Sequence, residues 1–225
     1  MIKTDNYIND LFTQIAKDYD LMNRVISLGT HGLYKKKAIS KLGINQGDVV
    51  LDLASGTGDL AKFITQKFDC RVVVADSNFT MLKITQNCVR SELITRCDAA
   101  ELPFQNSSFN CVIIGFGIRN FTQLDKAFSE VYRILKSGGK LVVLEFAQPQ
   151  NGFIKLLRNF YFRQIIPLIT RILIGKYEEY QYLASSVINF HNQQTILGKL
   201  SGHQFGQTAV HNYIFGNIAV YEGVK

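Results

Sequence analysis

Residues 51–63, LDLASGTGDLAKF, place two glycines in a tight turn between an apolar run and an amphipathic stretch. A strand, a glycine turn and a helix in this order aim backbone N–H groups and a helix N-terminus at a bound group, and a Cβ at the glycines would collide with it. The stretch GTGDLA also satisfies the dinucleotide pattern G-x-G-x-x-A. The loop alone therefore leaves three interpretations open: a dinucleotide pyrophosphate, the methionine end of S-adenosylmethionine, or a turn without a ligand.

Three aspartates near the ends of apolar runs bear on this choice. Asp52 precedes the glycines, where its carboxylate would repel a pyrophosphate but could hold a methionine ammonium, directly or through water. The other interpretation of Asp52 is a residue that caps the turn. Asp76 suits two ribose hydroxyls of either ligand. Asp98, followed by small residues in CDAAELPF, suits an adenine amino group beside a slot for the flat ring. Together they favour S-adenosylmethionine.

The spacing of apolar residues predicts the elements that position these groups. Strands are predicted at 48–53, 71–76, 110–116 and 140–146, with a shorter one inside 93–104. Helices are predicted over 59–68, from Asn78 onward, and over 123–139, where glycine would end the helix. Alternating strands and helices indicate an α/β fold with a parallel sheet covered on both faces. Residues 208–225 predict two final strands, one of them antiparallel, around a turn at Gly216 and Asn217.

Length and composition predict one domain over residues 1–225, with a helical cap at 1–46 and a helical insert at 150–202. The chain begins with acidic residues and has no run of 18 apolar residues, so neither a secretory signal nor a transmembrane helix is expected. The four cysteines include no C-x-x-C pair, which favours buried free thiols in a reducing cytosol over a metal site. The formal net charge of +7 suggests either an anionic partner, membrane or nucleic acid, or a merely basic protein.

Ordered motifs run through most of the chain: YDLMNRVISLGTHGLYKK at 19–36, then LDLASGTGD, ADSNFTMLK, DAAELPF, GFGIRNF and LKSGGKLVVLEF. In these motifs the chain resembles the quinone-biosynthesis C-methyltransferases, which methylate demethylmenaquinol or a 2-polyprenyl-6-methoxybenzoquinol. FGIRN is the most specific motif, since generic methyltransferases lack it. EYQYLASSVINF and GNIAVYEGVK are looser matches. The resemblance implies a Rossmann-like class I S-adenosylmethionine-dependent methyltransferase, with a mostly parallel seven-stranded sheet and a C-terminal antiparallel hairpin.

Cofactor contacts follow from the resemblance and from the glycine loop. By position, the resemblance implies that S-adenosylmethionine contacts Thr57, Asp76, Asp98, Ala99 and Gly115. The loop itself adds Asp52, Gly56 and Gly58.

Methylation of a hydroquinone ring carbon sets the requirements for the acceptor side. Loss of the neighbouring phenol proton pushes electron density into the ring, so the site needs a proton acceptor and a group that stabilises the phenolate. Arg119 is expected to stabilise the phenolate and Asn120 to orient the ring oxygen. The alternative for Arg119 is an ion pair with a structural carboxylate such as Asp125. His31 is a candidate relay base, and otherwise a packing histidine. No metal is required.

Residues 153–176 mix apolar and basic side chains too closely for a transmembrane helix. The pattern suits a helix on an anionic bilayer, a lid over an apolar tunnel, or a core helix with snorkelling cations. Pro167 should kink or split it. The cations concerned are Lys155, Arg158, Arg163, Arg171 and Lys176. The tyrosines that could line a quinone pocket, or simply belong to the core, are Tyr19, Tyr177, Tyr180 and Tyr182.

Three functions stay open. The favoured one is C-methylation of a prenylated quinol, demethylmenaquinol before a benzoquinol, by a cytoplasmic protein bound peripherally to the inner face of an anionic membrane. The second is methylation of another small phenol or lipid, suggested by departures from the family pattern in 178–194. The third, a nucleic-acid methyltransferase, is disfavoured because the basic residues are dispersed and no base-reading motif such as N-P-P-Y occurs. A dehydrogenase is the least favoured, and homodimer formation is left open.

Overall fold

The structure is a computed structural model that describes residues 4–27 and 29–225. Residues 1–3 and 28, which belong to the predicted cap, lie outside the described residues. No helix within the described ranges is both long and apolar enough to cross a membrane.

Seven strands form one sheet in the order β3-β2-β1-β4-β5-β7-β6. The strands are β1 (Val49–Leu53), β2 (Arg71–Asp76), β3 (Leu93–Arg96), β4 (Phe109–Gly115), β5 (Leu135–Phe146), β6 (Gly206–Tyr213) and β7 (Ile218–Val224). β7 pairs antiparallel with both β5 and β6, and the remaining pairs are parallel. The predicted α/β fold, with a mostly parallel seven-stranded sheet and an antiparallel C-terminal hairpin, is confirmed.

Ten α-helices are distributed around this sheet in the described residues. Before β1 lie α1 (Asp5–Ile15), α2 (Tyr19–Ile26) and α3 (His31–Leu42); between strands lie α4 (Asp59–Lys67), α5 (Phe79–Cys88) and α6 (Leu124–Ile134); between β5 and β6 lie α7 (Gly152–Phe160), α8 (Ile166–Ile174), α9 (Tyr177–Ile188) and α10 (Gln193–Gly202). A π-helical turn, Tyr161–Ile165, separates α7 from α8, and Pro167 lies in the first turn of α8. Proline lacks a backbone N–H, and the first turn of a helix tolerates that lack. The chain therefore stays helical from Gly152 to Ile174, and the interruption of the α-helix is the π-helical turn just before Pro167 and not a break at the proline.

The helix predicted over 123–139 ends earlier than predicted. α6 stops at Ile134, and β5 begins at Leu135, which pairs with Phe109 of β4. The register between β4 and β5 then shifts, and Gly138, at φ +75°, donates its N–H to the Lys225 carbonyl. The glycines thus form a bulge inside a long strand rather than a helix end.

Apolar residues fill three clusters. One face of the sheet packs against α6 and α10 through side chains such as Phe128 and Leu200, and the other packs against α3 and α4 through Ile39 and Ile64. The third cluster joins the N-terminal helices to the insert, with Met22 and Tyr180 among its members. The cap and the insert are therefore held together over one edge of the sheet.

The four cysteines are free thiols. Cys111 is buried and Cys70 and Cys97 are partly buried, but Cys88 is exposed at the end of α5. The expectation of buried thiols is therefore wrong for Cys88.

Candidate active site

A cavity of about 1050 Å³ opens at the carboxyl ends of β1, β2 and β4. Its walls include the loop after β1, the start of α3, the turn after β4 and one side of α7. Small-molecule pockets typically measure roughly 300–1,000 Å³, so this cavity has room for a cofactor and a second ring together. The carboxyl edge of a parallel sheet is where α/β proteins place their ligands.

The glycine loop after β1 is shaped by contacts with β2 and α5. Gly56 and Gly58 have φ of +57° and +83°, and a Cβ on Gly58 would lie 2.7 Å from Thr85 Cγ2. The Gly56 N–H donates to Asp76 Oδ2 at 2.8 Å, and Thr85 Oγ1 donates to the Gly56 carbonyl at 2.8 Å. Glycine at 58 is thus required by both backbone angle and packing.

Asp76 lies at the end of β2 in the cavity wall, as predicted. Its Oδ1 accepts the Asn78 N–H at 2.8 Å, so each carboxylate oxygen holds one backbone donor. Burial raises the pKa of Asp76, against the opposing effect of these N–H donors. Each oxygen retains a lone pair for a further donor, as two adjacent ribose hydroxyls would require.

The structure brings three more of the predicted cofactor residues to the same cavity. Asp98 and Ala99 form part of the wall, and Asp98 Oδ1 accepts the Ala100 N–H at 2.8 Å. Gly115 ends β4 in the wall, where a Cβ would lie 2.5 Å from Leu60 Cδ1 of α4. The glycine therefore lets the helix approach the strand end.

Asp52 and Gly58 lie behind the loop and do not form part of the cavity wall. The fully buried Asp52 accepts the Ala61 N–H at 2.9 Å through Oδ2, while its Oδ1 has no hydrogen-bond partner in the described chain. Burial raises the pKa of Asp52 to about 7. This geometry matches the capping interpretation, and a direct contact with the cofactor stays a prediction.

Thr57 links the glycine loop to the cap. Its hydroxyl donates to Asp20 Oδ1 at 2.6 Å, and its side chain is buried in the cavity wall. Asp20 belongs to α2 and was not among the predicted residues. The YDLMN stretch contained it, but nothing in the local pattern identifies a partner 37 positions away.

Arg119 lies in the cavity wall in a short 3₁₀ turn, Ile118–Asn120, after β4. Its Nη1 lies 3.1 Å from Glu145 Oε1, its backbone N–H donates to Glu145 Oε2 at 3.2 Å, and its guanidinium also donates to the Phe116 carbonyl. The guanidinium carbon stands 5.5 Å from the centre of the Phe146 ring. Both charged groups are buried, and burial raises the pKa of Glu145.

The alternative partner suggested for Arg119, Asp125, is wrong. Asp125 is exposed on α6 and binds Lys199 and His203 of the α10 region. Glu145, the penultimate residue of the longest strand, is the partner, and no spacing rule connects it with Arg119 in the sequence.

Asn120 and His31 both reach the cavity. Asn120 Oδ1 is buried without a hydrogen-bond partner among the described residues. His31 begins α3, with Nδ1 3.0 Å from Ser27 Oγ. Burial, followed by the charge of Lys35, lowers the pKa of His31, so its imidazole is neutral at neutral pH. A neutral imidazole is able to accept a proton.

Lys35 is a cavity residue that sequence reasoning missed. It is buried one turn after His31 on α3, and its Nζ binds Asp59 Oδ2 of α4 at 2.7 Å. The spacing of four between His31 and Lys35 was visible, but the burial of a lysine was not.

The tyrosine and cation predictions are partly wrong. Tyr19 lines the cavity, whereas Tyr177, Tyr180 and Tyr182 do not; Tyr180 is packed in the cluster between cap and insert. Of the insert cations, Lys155, Arg163 and Arg171 are exposed. Arg158 is buried in the cavity wall, and Lys176 pairs with Asp18 at 2.6 Å. No cluster of three or more side chains suited to a metal ion occurs in the part of the chain described.

Comparisons with known proteins agree with this geometry. The model of the ubiE/COQ5 methyltransferase family matches residues 1–225. The chain is 37% identical over 223 residues to a Saccharophagus degradans protein named ubiquinone/menaquinone biosynthesis C-methyltransferase UbiE, covering 96% of this chain and 90% of that one. It is 38% identical to the Teredinibacter turnerae protein of the same name, with the same coverage.

Solved structures share the fold at low sequence identity. A Haemonchus contortus phosphoethanolamine N-methyltransferase bound to S-adenosyl-L-methionine aligns with a TM-score of 0.65 at 18% identity, over 85% of this chain and 52% of that one. A SAM-dependent methyltransferase from Aquifex aeolicus aligns at 0.59 with 11% identity, over 91% and 97%. The chain belongs to the ubiE/COQ5 methyltransferase family and is an S-adenosylmethionine-dependent C-methyltransferase.

Proposed function

We propose that this enzyme methylates a ring carbon of a prenylated quinol, with demethylmenaquinol as the first acceptor and a 2-polyprenyl-6-methoxybenzoquinol as the second. The observation that carries the proposal is the placement of Arg119 and Asn120 in the wall of the cavity that also holds the glycine loop. The relatives are named for both ubiquinone and menaquinone biosynthesis, which supports this class of acceptor.

S-adenosylmethionine supplies an electrophilic methyl group when bound. We place its ribose at Asp76, its adenine at Asp98 and Ala99, and its methionine end at Gly56 and Thr57. Gly115 would form the floor of this part of the cavity, while Asp52 and Gly58 would act by fixing the loop. The carboxylates suit a cofactor whose sulfonium and ammonium outweigh its one carboxylate.

On the acceptor side, the phenol beside the reacting carbon must lose its proton. The Arg119 guanidinium stabilises the resulting phenolate, since charge-assisted hydrogen bonds in a site shielded from water are strong. The Asn120 side chain orients the ring oxygen. His31, which is neutral, accepts the proton through water.

The insert supports binding at a membrane surface. Apolar side chains are exposed along α7 and α8, among them Ile172 at 74% exposure. Phe215, in the turn before β7, is 82% exposed and lines the cavity together with Leu157 of α7. Exposed apolar side chains thus extend from the cavity wall onto α7, and the same insert carries the exposed cations Lys155, Arg163 and Arg171. Such a surface suits peripheral attachment to an anionic bilayer, from which a prenylated quinol would enter.

Acceptor identity is tested by incubating the protein with S-adenosylmethionine and a short-chain demethylmenaquinol or demethylbenzoquinol, both kept reduced. Mass spectrometry should detect one added methyl group on a ring carbon. A methyl group on an oxygen would overturn the proposal. Methylation of another phenol, with neither quinol methylated, would also overturn it.

Membrane attachment is tested by vesicle sedimentation. Replacing Arg163 and Arg171 by glutamine should weaken binding to anionic vesicles by about 1 kcal/mol for each cation, and added salt should weaken the wild type. Lys126→Gln, on the exposed side of α6, is the matched control. Equal binding of wild type to neutral and anionic vesicles would contradict the electrostatic contribution.

A further inference from the structure

Arg158 is a buried cation that the proposed chemistry leaves without a role. It lies on α7 in the cavity wall, and only 5% of its surface is exposed. Its guanidinium donates to the Ala147 carbonyl and to Gln148 Oε1, both at 2.9 Å, and to Asn159 Oδ1 at 2.8 Å. Within the described chain, its hydrogen-bond acceptors are therefore all uncharged.

This distinguishes Arg158 from the other buried cations of the cavity. Arg119 is paired with Glu145 and Lys35 with Asp59. A buried charge without a counter-ion is costly, so its hydrogen bonds matter more. Nε of Arg158 also donates to Asn159 Oδ1, at 3.2 Å, so four of its five N–H groups have acceptors and one N–H of Nη1 has none in the described chain. Burial also lowers the pKa of Arg158, as expected for a cation taken out of water without a compensating anion.

The attachment of Arg158 places it near the acceptor end of the cavity. Its Nη1 binds the carbonyl of Ala147, which directly follows Phe146. Phe146 lines the cavity, and the Arg119 guanidinium lies over its ring. The two arginines are therefore fastened to the same end of β5, with Arg158 coming from the insert and Arg119 from the turn after β4.

A hydroquinone carries two oxygens on opposite sides of its ring. Only one of them adjoins the carbon that is methylated, and Arg119 and Asn120 serve that oxygen in the proposed function. The opposite oxygen stays a neutral hydroxyl in this step, and its lone pairs can accept a hydrogen bond from a guanidinium N–H.

We propose that Arg158 binds the second ring oxygen of the quinol and so fixes the orientation of the ring between two guanidinium groups. The inference rests on the proposed function. It makes Arg158 a substrate-binding residue that influences which ring substituents the enzyme accepts. It also gives this residue a role different from that of the membrane-facing cations of the same segment.

The test compares two probes that differ in charge. One is a short-chain prenylated 2-hydroxy-1,4-naphthoquinone, whose hydroxyl is ionised at neutral pH and whose charge spreads onto ring oxygens; the other is the same quinone without the hydroxyl. Arg158→Gln should lose roughly 10- to 150-fold in affinity for the anionic probe, the range for a hydrogen bond to a charged group, and a clearly smaller factor for the neutral probe, whose ring oxygen also accepts from the guanidinium but carries no charge. Arg158→Lys should recover part of the loss, since an ammonium keeps the charge without the planar fork.

Lys126→Gln, an exposed cation on α6, is the control and should bind both probes as the wild type does. Thermal melting of each variant reports on folding. If Arg158→Gln loses the same factor of affinity for both probes and melts at a lower temperature, Arg158 serves only to hold α7 against the end of β5. Loss of anionic-vesicle binding with unchanged probe affinity would make it a lipid-headgroup contact; either result overturns the inference. If wild type binds neither quinone with S-adenosylmethionine present, the quinol function itself fails.

Discussion

The two ends of the cavity are built in different ways. The glycine-loop end, comprising Gly56, Asp76 and Asp98, uses residues at a strand end or within three positions of one, and two of the three are carboxylates. The arginine end, comprising Arg119 and Arg158, brings together a turn after β4 and a helix of the insert, and is dominated by cations. One end thus suits a cofactor with net positive charge, and the other suits an acceptor that becomes an anion. In the proposed function, cofactor and acceptor would therefore be recognised by side chains of opposite charge at the two ends of one cavity.

The largest effect is expected from removal of the Arg119 charge at the arginine end. Arg119→Gln combined with Glu145→Gln deletes both charges of the buried pair, and single-turnover methyl transfer at saturating cofactor should fall roughly 100- to 1000-fold. The phenolate then loses its preorganised stabiliser, while the affinity for S-adenosylmethionine should change little.

Single variants separate catalysis from folding. Arg119→Gln alone should lose about 3–5 kcal/mol of unfolding free energy as well as activity, since it leaves Glu145 buried and unpaired. Arg119→Lys should recover only part of the rate. A double variant that folds and turns over normally would show that Arg119 serves only as a structural ion-pair partner.

The opposite end is tested by Asp76→Ala. Two ribose hydroxyls would lose a charged acceptor, so calorimetry should record a loss in S-adenosylmethionine affinity of roughly 10- to 150-fold. Affinity for the neutral naphthoquinone should stay near that of wild type if the two ends act independently. Because Asp76 also holds the Gly56 N–H, Asp76→Asn is the control that keeps an oxygen in place. Unchanged cofactor affinity in folded Asp76→Ala would contradict the assignment.

A smaller effect is expected at His31, which lies between the two ends. Burial, then Lys35, lowers its pKa, so the base form persists until the pH falls below the ordinary histidine value of 6.5. The acid limb of the kcat profile should lie below that value, and His31→Asn should remove the limb. The rate loss should be less than the roughly 100-fold that marks the lower range of general-base catalysis, because water relays the proton. An unchanged limb in His31→Asn would exclude this role.

Asp52 allows a test of the glycine-loop end through the pH dependence of the unfolding free energy. It is an acid at the glycine-loop end whose pKa is raised by burial from 3.8 to about 7. A raised folded-state pKa means that its stabilising contribution is complete below the unfolded value and is lost as the pH rises toward 7. The unfolding free energy of wild type relative to Asp52→Asn should therefore fall by about 1.4 kcal/mol for each pH unit across this window. Denaturant titrations across the window measure the slope, and a flat difference would contradict it.

Sequence reasoning predicted the glycine-loop end far better than the arginine end, for a physical reason. Asp76 and Asp98 follow strands whose apolar runs are visible, and a parallel sheet brings strand ends to one edge without further information. The partners Glu145 of Arg119 and Asp20 of Thr57 depend on how distant segments pack, which no local period encodes. In the sequence, the glycine of the bulge at Gly138 looks like the glycine that ends a helix, because a backbone with positive φ favours glycine in both places. Arg158 matches a surface cation in the pattern of α7, and only its burial assigns it to the cavity.

The hydrogen bond from Thr57 to Asp20 has a consequence for the order of events in turnover. It fastens α2 of the cap onto the loop proposed to hold the methionine end of the cofactor, while Tyr19 lies 3.7 Å from the position of a Cβ on Gly56. We expect a cap seated in this way to block exchange of the spent cofactor until the bond opens. The methyl donor should therefore enter before the quinol, and S-adenosylhomocysteine should leave last, which makes cap opening the step that limits repeated turnover.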